Sequence, residues 1–190
     1  MRPVLLAAAL ALAAGPTLAQ TAPAAAPAAA APASPPEALA RPGDVASVDA
    51  IVAALYEVIS GEAGEARDWA RFHGLFLPGA VMGGAGRAPD GTARMRLVSP
   101  ADYVTRNAPH FQANAFYERE TGRRMTRFGP IIQLLSAYEI RTARDAAEPV
   151  QRGVNAITLF DDGQRLWVTS VVWAGATPET PIPDDLRAAP

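Results

Sequence analysis

The spacing of the apolar residues changes period part-way along the chain, and no other feature restricts the fold as tightly. Behind Ser47, the residues Val48, Ile51, Val52, Leu55 and Ile59 recur at the spacing of one helical face, and the serine can accept a hydrogen bond from the first turn. Gly61 and Gly64 end that helix. A second helix is predicted from Asp68, a capping carboxylate, with Trp69, Phe72, His73 and Phe76 on one face before Pro78. A third starts at Ser99-Pro100-Ala101-Asp102, which combines a cap serine, a proline at the first helical position and an acid at the capping-box place; Pro109 stops or kinks it. From Phe116 onward the period falls to two. Phe116 to Glu120 and Arg123 to Phe128 are expected as strands around a Thr121-Gly122 turn, and Ile131 to Arg141 as one long strand. Val150 to Phe160 and Arg165 to Trp173 follow as a hairpin about Asp161-Asp162-Gly163-Gln164. Asn155, Ile157 and Leu159 share one face of its first strand; Trp167, Thr169, Val171 and Trp173 share one face of its second. Helices first and antiparallel strands later predict an α+β domain with the helices laid on one side of a curved sheet.

What precedes that domain has no side chains to build a core. The first forty positions hold 18 alanines and no aromatic residue, so the 190 residues are read as one folded unit. Met1-Arg2, the apolar run Val4 to Ala14 and the small residues of Thr17-Leu18-Ala19 read as a secretory signal peptide over 1–19, and the run is too short to span a bilayer. A periplasmic or secreted protein, with no membrane anchor left after cleavage, is the expectation. Residues 20–44 are read as a disordered linker, because nine alanines and five prolines in 21–36 break helices and bury nothing. The domain is placed at 45–186 and a short tail at 187–190. With no cysteine the chain has no disulfide framework, no thiolate nucleophile and no Cys-ligated metal. A net charge of −2 and a pI near 5.7 give no electrostatic reason for a nucleic-acid partner.

The element order, together with AIVAALYEVISG (50–61), DWARFHGLFLPGAV (68–81), FYERETGRRMTRFG (116–129), IIQLLSAYEIR (131–141) and GVNAITLFDDGQRLWVTSVVW (153–173), resembles the NTF2-like, or SnoaL-like, superfamily over about residues 45–186. That resemblance implies a cone-shaped α+β fold in which three N-terminal helices pack on a strongly curved, mostly antiparallel sheet and enclose a pocket. It also implies a homodimer through the outer sheet face, with Trp167 or Trp173 near the contact. The superfamily holds ketosteroid isomerases, polyketide cyclases and scytalone dehydratase beside members that only bind or assemble. Residue by residue, the helix tyrosine that serves as donor in the isomerases matches Tyr56. The carboxylate base falls at about Gly83 or Gly84, neither of which can move a proton. The strand matching 150–160, which carries the second acidic donor, has no carboxylate between Val150 and Leu159 and offers only Asn155. These positions speak against ketosteroid-isomerase chemistry.

The remaining chemistry-bearing residues are few. His73, on the apolar face of its helix, reads either as a partly buried histidine bonded to backbone or as a pocket acid or base. His110, after Pro109, reads as a boundary residue, and the two histidines have no metal-ligand spacing. The mixed charges Glu118, Arg119, Glu120, Arg123, Arg124 and Arg127 read as a solvated pair of strands laced by ion pairs. Gly83-Gly84-Ala85-Gly86 reads as a flexible connection, since it lacks the ending of a phosphate loop. Tyr56, His73 and Asn155 are the candidate pocket lining, with no cofactor or metal and a small apolar or amphipathic ligand. The first functional reading is a binding or accessory protein of the cell envelope. An acid-base enzyme using His73 with Tyr56 or Tyr138 is the second, and a structural dimerisation module the third.

Overall fold

The computed structural model describes residues 40–88 and 90–186. The expected signal peptide, nearly all of the alanine-proline linker and the 187–190 tail lie outside them. A 3-10 turn (Pro42–Val45) leads into α1 (Val48–Ile59), α2 (Trp69–Gly74), β1 (Phe76–Arg87), β2 (Ala93–Val98) and α3 (Pro100–Ala113). Four strands follow, β3 (Tyr117–Phe128), β4 (Ile131–Arg141), β5 (Gln151–Asp161) and β6 (Leu166–Gly175), before a last 3-10 turn (Asp184–Leu186). The strands form one six-stranded sheet in the order β2-β1-β6-β5-β4-β3, antiparallel except for the parallel pair β1 and β6. The class is the expected α+β, but β1 and β2 come between α2 and α3, so the helices do not all precede the strands as the change of period predicts.

All three predicted caps form. Ser47 Oγ accepts from the Ala50 N–H at 3.1 Å, Asp68 from Arg71 at 2.9 Å and Ser99 from Asp102 at 3.0 Å. The far end of α1 is closed by Arg67, whose guanidinium donates to the carbonyls of Ile59, Gly61, Glu62 and Glu65 at 2.7 to 3.1 Å. Two helix ends differ from expectation. Phe76 is the first residue of β1, and α3 runs through Pro109 to Ala113. Pro109 removes one N–H, but the turn beyond it is retained because Phe111 is buried in the core.

Two strands depart from simple alternation. Thr121-Gly122 is not a turn: Glu120 pairs with Tyr138 and Gly122 with Ala137, so Thr121 is an extra residue inside one continuous strand. The chain reverses instead at Gly129-Pro130, where Gly129 takes φ 55°. In β6, Val168 pairs with Leu159 and Ser170 with Thr158, which leaves Thr169 unopposed. The bulge separates the tryptophans: Leu166, Val168, Val171 and Trp173 share the faces of the inward residues Leu159, Ile157 and Asn155, whereas Trp167 is on the other side. The Gly83-Gly84-Ala85-Gly86 tract is not a connection either, since it lies within β1 and pairs with β2 and, for three of its residues, β6. A close neighbour requires the first of its glycines and crowds the second. A Cβ at Gly83 would strike the Arg96 backbone oxygen, and one at Gly84 would lie 3.1 Å from the Trp173 indole nitrogen.

Such bulges bend a sheet and increase its twist. The buried side of this one carries Ile132, Leu134, Ile157, Leu159, Val168 and Val171, which join Ile51, Val52, Leu55, Phe72 and Phe111 of the helices in one core. At the start of the domain, Arg71 grips Asp44 with two bonds of 2.7 and 3.0 Å, so the expected boundary at residue 45 falls inside a turn that is already tied to α2. At its end, Asp185 pairs with Arg124 at 2.6 Å and Leu186 is buried, placing the last turn against β3 and β4.

Candidate functional site

A cavity of about 260 Å³ opens among α1, α3 and the inner residues of β3 to β6. Most of its wall is apolar or aromatic, from Leu55 and Ile59 of α1 through Phe111 and Phe116 to Ile157, Val171 and Trp173. The rings touch in sequence. Tyr103 stands edge-on to Trp173 at 5.9 Å and stacks on Phe72 at 5.7 Å, and Phe111 meets Phe116 at 4.9 Å. Gly153 makes room for one further phenol: it lies opposite Tyr138, and a Cβ there would collide with the Tyr138 hydroxyl.

The polar groups form a directed chain. Ser136 donates to Glu120 at 2.6 Å, which uses the serine's only proton. The 2.7 Å contact between Tyr56 and Ser136 is therefore made by the tyrosine proton, and the tyrosine oxygen accepts from the Asn155 amide at 3.1 Å. The same amide nitrogen donates to Glu118 at 3.2 Å. Asn155 thus has its nitrogen turned toward two acceptors, and Tyr56 spends its proton inside the protein. Burial raises the Tyr56 hydroxyl pKa well above the ordinary value, and the charges of Glu118 and Glu120 raise it further against the bonds from Ser136 and Asn155.

Glu118 ends this chain on the cavity side. It is half-buried and lines the cavity, and removal from bulk water pushes its carboxyl up to about 7, opposed only by the Asn155 bond. Its charge is felt at three phenols, Tyr56, Tyr103 and Tyr138; burial pushes the Tyr138 hydroxyl up to about 12 and holds that of Tyr103 higher still. A carboxyl that changes charge near neutrality, beside phenols that stay protonated, can take up or release a proton and can oppose a bound positive charge.

Of the three residues expected to line a pocket, Tyr56 and Asn155 meet in this wall, whereas His73 is not among the cavity residues. Phe72 takes the inward position of α2, and the His73 ring packs edge-on against it at 5.6 Å, half-buried, with a pKa lowered by desolvation. His110, read as a boundary residue, is exposed and lines the cavity. Tyr103 and Glu118 have no signal of their own in the sequence. For Glu118 the clue is the Glu-Arg-Glu alternation, which puts Glu118 and Glu120 on one strand face and Arg119 on the other. The rest of the charged strand is laced as expected, with Arg119 on Glu139, Arg123 on Glu120 and Asp49, and Arg127 on Asp161. Where the family's base would fall, the space beside Gly84 is taken by Trp173. Among the described residues no three His, Asp or Glu side chains gather as a metal site.

No protein-family model and no curated protein matches the chain. Among solved structures it is similar to a candidate ketosteroid isomerase from Kribbella flavida DSM 17836, with 16% identity, a TM-score of 0.41 and coverage of 74% of this chain and 86% of that one. The β subunit of a candidate aromatic-ring-hydroxylating dioxygenase from Novosphingobium aromaticivorans DSM 12444 is 14% identical, with a TM-score of 0.43 and coverage of 61% and 79%. An NTF2-like protein of unknown function from Shewanella baltica OS155 is 11% identical, with a TM-score of 0.41 and coverage of 67% and 89%. By its own element order and sheet topology the chain is an α+β domain of three helices on a mostly antiparallel six-stranded sheet.

Proposed function

We propose that the chain is an exported protein of the cell envelope that binds a small molecule in the cavity between α1, α3 and the sheet. The observation that carries this reading is the lining: an aromatic and aliphatic wall with its polar groups converging on Glu118, Asn155 and Tyr56, the composition of a ligand site rather than of a packed core. The ligand is small and amphipathic, with its polar end at Glu118. Export is supported by the short apolar run and the small residues before Gln20. Native mass spectrometry of the protein taken from its own envelope tests both parts: a chain that begins at Gln20 and retains a small molecule is expected. A chain that begins at Met1 would remove the export reading, and a protein that neither retains nor binds any small molecule would remove the other.

One observation favours a second reading, an acid-base enzyme. Glu118 titrates near neutrality in the cavity wall, with the Tyr103 and Tyr138 phenols close enough to feel its charge. In that reading Glu118 moves the proton and Tyr138 or Tyr103 supports the developing charge, because the Tyr56 proton is already committed to Ser136. Consumption of the retained molecule by the native protein and not by Glu118→Gln would select it.

A further inference from the structure

We infer that the cavity selects an organic cation, an alkyl- or arylammonium whose charged nitrogen sits between the Glu118 carboxylate and the rings of Tyr103, Tyr138 and Trp173. The inference rests on the reading of the cavity as a small-molecule site and adds the sign of the ligand's charge. Three observations on the wall lead to it. Among the described residues, Glu118 is the one acidic residue lining the cavity and no arginine lines it, although all 17 basic residues of the chain are arginines and Arg119 and Arg152 pair with Glu139 on the neighbouring strand. Among the described residues, the neighbour that bonds the Glu118 carboxyl is the neutral amide of Asn155. Around that uncompensated acid the wall is aromatic, and the faces of such rings attract cations, best where water is excluded. An anion would meet the carboxylate and the negative ring faces together.

Binding a cation next to Glu118 favours its ionised form, so affinity and protonation are linked. Tyr56 of α1, Tyr103 and His110 of α3, Tyr138 of β4, Gln151 and Asn155 of β5 and Trp173 of β6 line the cavity with it, and Glu118 also borders a second, more charged cavity with Arg67, with Arg119, Glu120 and Arg123 of its own strand, with Arg141 at the end of β4 and with Arg144 beyond it. The three phenols stay protonated across the working range, and Glu118 changes charge near neutrality. Lower pH neutralises Glu118, so cation binding weakens as the solution is acidified.

Calorimetric titration of the full chain with benzylammonium, benzyl alcohol and benzoate, three probes of one size and different charge, tests this. At ~pH 8 benzylammonium should bind at least about tenfold more tightly than benzyl alcohol, with benzoate the weakest. Acidification to ~pH 5.5 should weaken benzylammonium about tenfold or more and leave benzyl alcohol unchanged. Glu118→Gln should abolish the preference for the cation while benzyl alcohol still binds, which shows that the variant's cavity is intact. Equal affinity for benzylammonium and benzyl alcohol, or tighter binding of benzoate, would overturn the cation inference and leave the cavity reading standing. Failure of all three probes on both proteins would overturn the two together.

Discussion

At the scale of single residues, Glu118 makes the fold pay for the cavity. An unfolded glutamate titrates at about 4.5, and the folded chain holds this proton up to about 7. Between those values the native state binds more protons than the unfolded chain, so stability falls as pH rises through the interval. The contribution is complete below 4.5 and lost above about 7. Glu118→Gln keeps an acceptor for Asn155 and removes the titration. We expect the variant to exceed the parent in stability by on the order of 1–3 kcal/mol at ~pH 8, the two converging toward ~pH 4. Urea melts across that range measure it, and parallel pH profiles for the two proteins would show that the carboxyl is as hydrated as a surface one.

Strands and helices here are set by close approaches as much as by side-chain pattern. Gly153 and Gly86 both sit inside strands, yet a Cβ at Gly153 would collide with the Tyr138 hydroxyl and the Ala174 carbonyl oxygen, whereas nothing lies within 4 Å of one at Gly86. Gly153→Ala should cost on the order of 2–4 kcal/mol and disturb the near-ultraviolet tyrosine signal, because the phenol must leave its place in the wall. Gly86→Ala should be neutral or stabilise by up to about 1 kcal/mol, through the lower entropy of the unfolded chain. Thermal melts of the pair separate packing from backbone freedom, and equal losses would contradict this account of β5. The same contrast corrects the glycine tract of β1. Gly83 is required by the Arg96 backbone and Gly84 fits closely against Trp173, so glycines that look like a flexible connection in one dimension make close contacts in three.

For the whole molecule, the outer side of the sheet is the part left unfinished. The last 3-10 turn lies against β3 and β4, but at the β1 and β2 end Val81, Met95 and Leu97 are exposed by 37%, 58% and 51% on one outer face. We propose that the homodimer implied by the resemblance makes its contact there. Trp167 is on the outward side of β6, bonded to Asp162 at 2.7 Å under the Arg165 guanidinium, whereas Trp173 faces the cavity and is excluded from the contact. Sedimentation at about 10 μM should show a dimer, and Met95→Glu with Leu97→Glu should convert it to a folded monomer, since opposing one charged patch to its copy costs more than such a contact supplies. A parent protein that sediments as a monomer would end the proposal.

The three helices and the strand-forming stretches after Phe116 were legible in the sequence because each depends on residues a few positions apart, whereas β1 and β2 were not. The helical period behind Ser47, the capping acids and serines, and the Asp161 to Gln164 turn act locally and hold in any tertiary setting. What only the tertiary structure decided is every feature that needs a partner distant in the chain. The bulges at Thr121 and Thr169 appear when strands pair, and they determine that Glu118 faces the cavity and that Trp167 and Trp173 part company. His73 and Phe72 compete for one inward position on α2, and the larger apolar ring takes it because burial there stabilises the ring and would desolvate the imidazole. Tyr56 and Asn155, named from helix position and strand alternation, meet across 99 positions of sequence. Their roles in one directed chain follow from Ser136 and Glu120, since the direction of a hydrogen bond is set by which neighbour has a proton to give.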